Sequence, residues 1–326
     1  MVKAVTIFLC LLCSNILANQ TVDHSKEIDR IIANDLRNKR IEMPMVVNPY
    51  VFVRRAYIDI VGRVPTYEEW RTFLKRPDRK KLIEDLQNTK GYTESMFNFY
   101  ADLLRIKRRL SNNIDGDTYI AWVKQEIEKN TPYDQFVKKI LTAEGNIWEN
   151  PEVGYFLRDE GMLLDNVSNT FQAFAGMNIS CAQCHDHPFD DWTQMDYYNM
   201  TAFFTQLNTR GKKEDRKEFQ RLRKEAEELD KSGKQKGSTN RIGQFYRHGY
   251  QHTIVQDQDK KLKLPDDYDY RDAEPGEIVK AETAVGDRVK ERRKREGLRV
   301  SFANWLASDT HPTFAANIVN RLWDRS

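Results

Sequence analysis

The sequence is short of cysteine, of motifs for common hydrolytic and nucleotide chemistry, of net charge and of long apolar runs, and each shortage closes off a class of function. Four cysteines in 326 residues cannot build the disulfide framework of a small secreted scaffold, where pairs are spread along a short chain. The chain has no glycine-rich phosphate loop, no Gly-x-Ser-x-Gly nucleophile elbow and no His-Glu-x-x-His pair, so neither nucleotide binding nor hydrolysis has a motif to rest on. The 52 basic and 49 acidic side chains nearly cancel, and a net charge of +3 gives no field that would steer the molecule to nucleic acid or to an anionic membrane. No apolar run approaches the roughly 20 residues that span a bilayer, so no transmembrane segment is expected.

What is present begins with a leader. Lys3 precedes the apolar run Ala4 to Leu12, followed by Ser14, Asn15 and Ala18, which is the layout of a secretory signal peptide cleaved after Ala18. A lipoprotein signal ending at Cys13 is the competing reading. Either places the mature protein outside the cytoplasm, in the periplasm or at the cell surface. Removal of residues 1–18 would take Cys10 and Cys13 with it and leave Cys181 and Cys184 as the only thiols.

Periodicity predicts a mainly α fold: a helical array with a charged helical insertion and a small β element before the C-terminal helix. Ile28, Ile31, Ile32 and Leu36 recur at helical spacing within 22–38. Thr66 to Glu69 reads as a capping box, and Thr131-Pro132 as a helix start with proline in the first turn. Further helices are expected near 79–88, 93–107, 117–129, 161–177 and 193–206. Residues 19–207 form the helical domain on this reading. Residues 208–244 form a charged insertion whose Phe219, Leu222, Ala226 and Leu229 share a face, with Arg221–Glu225 and Lys224–Glu228 able to pair. Residues 245–300 carry the β element, with 253–255 and 262–264 bracketing a charged turn, and then the basic run Lys290 to Arg295. Residues 301–326 open a last helical stretch, Phe302 to Trp323, with no glycine or proline to close it. The chain therefore reads as truncated, with a C-terminal domain missing.

The chemistry is concentrated in Cys181-Ala182-Gln183-Cys184-His185. Covalent attachment of haem c needs two thiols spaced to meet two vinyl groups and an imidazole on the same loop to reach the iron, and Cys-x-x-Cys-His supplies all three. In this reading Cys181 and Cys184 bind the cofactor and His185 is the proximal ligand of the haem iron. The sixth ligand is not given: Met162, Met177, Met195, Met200, His248 and His252 are candidates, and methionine more often fills core gaps than binds metal. His187, a further possible metal ligand, stands too near to reach the opposite haem face and is expected to order the loop through Asp190 or Asp191 or to hydrogen-bond a haem propionate, with a satisfied surface histidine as the default. Trp192, Tyr197, Tyr198, Phe203 and Phe204 either wall the haem or form core. A non-haem metal held by Cys181, Cys184, His185 and His187 in a hydrolytic or carbohydrate-processing protein is a second reading. A redox dithiol and an interaction scaffold with a local disulfide are others.

Two stretches resemble a known family. Arg54-Arg55-Ala56-Tyr57-Ile58-Asp59-Ile60-Val61-Gly62-Arg63-Val64-Pro65-Thr66 is similar to the opening signature of the DUF1549 family, the planctomycete cytochrome C-like domain 2. Cys181 to Asp190, with Trp192-Thr193-Gln194 and Asp196-Tyr197-Tyr198, is similar to its central motif. Phe302 to Leu306 and Asn320 to Trp323 resemble the start of the DUF1553 domain that usually follows. The resemblance implies an exported protein with haem at Cys181, Cys184 and His185, and it implies no assigned activity; the electron-transfer reading adds a redox partner protein.

Overall fold

A computed structural model describes residues 26–110, 113–159, 161–209, 213–246, 252–286, 289 and 297–325. The proposed leader, His248 and the basic run Lys290 to Arg295 lie outside the described residues. The fold is mainly α. An exposed helix α1 over 26–38 comes first. It is followed by α2 (Pro49–Val61), α3 (Tyr67–Lys75), α4 (Arg79–Gln87) and α5 (Lys90–Leu103), which pack as an N-terminal bundle. The apolar stripe of α1 does not enter a core: Ile28 and Ile31 are exposed.

The opening signature owes its form to local chemistry. Asn48 accepts from the Val51 amide to cap α2, whose first residue is proline, where a missing amide proton costs nothing. Gly62 then ends the helix at φ 70°, with its N–H on the Ile58 carbonyl, a left-handed position that glycine adopts without strain. Thr66 and Glu69 form the expected capping box of α3, and Arg63 grips the Glu69 carboxylate with two hydrogen bonds of 2.8 and 2.7 Å. Val53, Ala56, Tyr57, Phe73 and Leu86 make this bundle's own small core.

The main core begins at the inner face of α5 and is continued by α6 (Asp117–Glu128), α7 (Tyr133–Thr142), the short α8 (Gly154–Leu157) and α9 (Leu163–Thr170). A π-helical turn, Phe171–Ala175, extends α9. After a 3₁₀ turn at Ser180–Gln183 come α10 (Gln194–Thr201) and a second 3₁₀ turn at Ala202–Phe204. Pro132 caps α7 rather than occupying its first turn. Phe171, Phe203, Phe204, Phe302 and Trp305 pack ring against ring, and each such side chain withdrawn from water contributes about 1.5–3 kcal/mol.

The β element is assembled from three distant segments. β3 (Ile254–Asp257) is central, flanked by β1 (Gly145–Asn146) and β2 (Leu207–Asn208), both antiparallel to it. Segment 262–264 does not pair with 253–255 as the alternation suggested; Lys263 forms an isolated bridge with Ile278 instead. Because Asn208 pairs with Gln256, the chain leaves and re-enters one ladder around the charged insertion. That insertion is a helical hairpin, α11 (Lys213–Lys231) and α12 (Ser238–Tyr246), packed chiefly on itself. Arg221 bonds Glu225, while the expected pair of Lys224 with Glu228 does not form.

The C-terminal stretch is two helices, α13 (Leu298–Leu306) and α14 (Phe314–Arg325), broken around Pro312. Phe314 and Ile318 of α14 are buried, whereas Trp323 is exposed. α13 is bound to the rest by Arg299, which is 1 % exposed. Its guanidinium donates to Asp257 (2.8 Å), to Glu144 (3.0 Å) and to the carbonyls of Leu141 and Ala143 (3.0 Å each), and lies over Phe156. Among the described residues no helix is long and apolar enough to cross a membrane.

Candidate functional site

The Cys-x-x-Cys-His motif sits on the 3₁₀ turn Ser180–Gln183 and the loop that leads to α10. Ala182, between the two thiols, is fully buried and its N–H bonds the Ile179 carbonyl, while the Cys184 N–H bonds that of Cys181. The turn is thereby pinned by its inward residue, and Cys181 and Cys184 both point to solvent as free thiols. No disulfide joins them in the structure.

The loop after the motif is ordered by polar contacts to three elements. Gln194, 2 % exposed, donates from its side chain to the Gln183 carbonyl at 3.0 Å, and its backbone N–H donates to Asp186 at 2.8 Å. Asp186 therefore caps the N-terminal turn of α10, alongside the capping box formed by Thr193 and Asp196. The Asp186 N–H donates to the Tyr270 hydroxyl at 2.8 Å. Beneath the thiols lies Tyr198, whose phenol is held above its usual range by burial and then by the nearby Cys184.

The two histidines are in opposite states. The Nδ1 of His185 lies 2.7 Å from the Asp186 carbonyl oxygen. A carbonyl can only accept, so Nδ1 carries the proton and the neutral ring keeps its lone pair on Nε2, at an exposed position. In His187 the Nδ1 accepts from the Phe189 N–H at 3.3 Å, so the lone pair faces the loop and the proton is on Nε2. Separately from the ring, the backbone N–H of His187 donates to the Trp192 carbonyl at 2.7 Å. Its ring orders the loop through the Phe189 N–H alone, and not through Asp190 or Asp191.

Other expectations divide. Trp192, Tyr197, Tyr198, Phe203 and Phe204 are buried in the main core. Met200 is fully buried, with its sulfur accepting from the Ala284 N–H at 3.4 Å. Met177 and Met195 pack against the core and Met162 is exposed. Among the described residues no three His, Cys, Asp or Glu side chains converge to hold a metal ion, so the four-ligand site of Cys181, Cys184, His185 and His187 is not formed. The loop-holding roles of Gln194 and Tyr270 were not legible in the sequence. Gln194 had a local signal, lying in the first turn after Thr193, but Tyr270 is contributed from 84 residues away.

A family model described as PSCyt2, protein of unknown function (DUF1549), matches residues 27–209. The chain belongs to the DUF1549 family. The DUF1549 match runs from α1 to the end of β2 and contains both the capped signature of α2 and α3 and the thiol motif. Residues 302–323 lie beyond it. No curated protein and no solved structure matches the chain.

Proposed function

We propose that this DUF1549 protein carries haem c, with Cys181 and Cys184 as the thioether anchors and the Nε2 of His185 as proximal ligand of the haem iron, and that it serves electron transfer or redox support outside the cytoplasm. The observation that carries the reading is the set of free valences on one turn. Two unpaired thiols face solvent, and beside them stands an imidazole whose Nδ1 is fixed to a backbone carbonyl. A second hydrogen bond of that kind orients a metal-bound histidine and raises its basicity. The donor set thus fits the cofactor, and bound haem would supply one-electron chemistry at a potential set by its axial ligands and surroundings.

The protein's own contribution is orientation. Ala182 buries the turn, Gln194 fixes the Gln183 carbonyl, and Asp186 offers its backbone oxygen to His185 while its carboxylate caps α10. The proposal includes export through the leader at residues 1–18, a redox partner protein, and a DUF1553-like region beginning at Phe302 to Leu306 and Asn320 to Trp323.

A pyridine haemochrome spectrum of full-length protein, expressed with the cytochrome c maturation machinery, tests the assignment. A c-type spectrum at one haem per chain, lost in Cys181→Ala with Cys184→Ala, is the expected result. Colourless protein from a host that matures a control cytochrome would overturn it.

A further inference from the structure

A cavity of about 390 Å³ opens where the end of α5, the π-helical turn and the last turns of α14 meet. Its size falls in the range of small-molecule sites, roughly 300–1,000 Å³. Three guanidinium groups line it, those of Arg105, Arg321 and Arg325, together with the carboxylates of Asp102 and Asp324. None of these arginines forms an ion pair with either carboxylate among the described residues, although all five residues line the cavity. Arg321 is aimed by its bonds to Asn317 and to the Gln172 carbonyl, both 3.0 Å. Arg325 is aimed by the Ser95 carbonyl at 3.1 Å and by the face of Phe99. Both keep further N–H donors uncommitted.

Two features of the backbone point to this cavity independently of its charge. Phe171–Ala175, which contributes Gln172, is π-helical, and such turns are rare and concentrate at functional sites. Arg105 occupies the left-handed position that ends α5, with φ 53°. Its N–H bonds the Asp102 carbonyl and the Ile106 N–H bonds that of Ala101, the paired bonds of a helix end that favours glycine. A side chain held there strains the backbone, and such positions cluster at functional sites.

We propose that the cavity binds a sugar-sized, hydroxylated oxyanion, a carboxylate or sulfate ester. Arg105, Arg321 and Arg325 would hold its charged oxygens, since the guanidinium fork matches both groups. Asp102 and Asp324 repel a bare anion but accept hydrogen bonds from hydroxyl groups, so the ligand must present both. This site does not depend on the haem assignment.

Titration calorimetry and thermal shift on the full chain, at fixed ionic strength, test it with glucuronate, glucose 6-sulfate, glucose and inorganic sulfate. Saturable heat and a raised Tm are expected with one or both sugar acids, and neither with glucose or inorganic sulfate at the same concentration. Arg105→Gly should raise the Tm of unliganded protein, because strain is relieved, and weaken binding at least tenfold; Arg105→Gln should weaken binding while keeping the strained backbone. Absence of heat from both sugar acids, equal binding of glucose or of inorganic sulfate, or undiminished affinity in both variants would each overturn the proposal.

Discussion

Two histidines two residues apart do different work because each has a different backbone group against its Nδ1. A carbonyl at His185 turns the lone pair outward, and an N–H at His187 turns it inward. Replacement of the two should therefore have unequal consequences. His187→Ala should keep the haemochrome band and lower the Tm by a few degrees through loss of the Phe189 contact, whereas His185→Ala should keep covalent pigment at most and shift its Soret band, both read by absorption spectroscopy. Sequence spacing could name both residues but not tell them apart, since the tautomer is set by which backbone group faces the ring. A packing residue of equal weight is Gly154, where an added Cβ would lie 2.6 Å from Cγ of the buried Tyr119. Gly154→Ala should cost about 1–3 kcal/mol in urea denaturation, the usual penalty for overfilling a core.

Among the elements, those fixed by local signals were legible in the sequence. The α3 capping box, the amphipathic α11 and the bounds of α4 and α6 follow from residues within a turn or two of each other. The sheet was not legible, because β3 finds its partners at Gly145 and Leu207 rather than in the neighbouring segment. Nor was the break between α13 and α14, where the apolar period continues across Pro312. The α3 cap has a pH signature. The Arg63 guanidinium, then the Thr66 amide and hydroxyl, hold the Glu69 carboxyl at about 2 against an ordinary 4.5. A depressed folded-state value stabilises the fold above pH 4.5, and this contribution is lost as the pH falls from there toward 2. Glu69→Gln should flatten the stability profile in that interval, and Thr66→Ala should cost about 1 kcal/mol at neutral pH, both by chemical denaturation.

At the scale of the whole molecule, two cores are joined through α5, and one buried cation, Arg299, ties α13 to the body. Arg299 satisfies two carboxylates and two carbonyls at once. Arg299→Met should cost about 3–5 kcal/mol, since it strands those acceptors, and should expose α13 to proteolysis. The charged hairpin stands apart from this economy of contacts. It leaves and returns through the β2–β3 ladder, so replacing residues 211–250 with a short glycine-serine linker should leave the Tm within a few degrees of the full chain by calorimetry.

The same body carries the thiol turn at its surface, and the haem assignment rests on what those thiols become. Intact-mass spectrometry of protein matured in a host with cytochrome c assembly decides it most directly. One added iron porphyrin per chain, retained under denaturing conditions and mapped to the peptide containing Cys181 and Cys184, is the expected mass. A mature polypeptide with both thiols alkylatable and no added mass would contradict it.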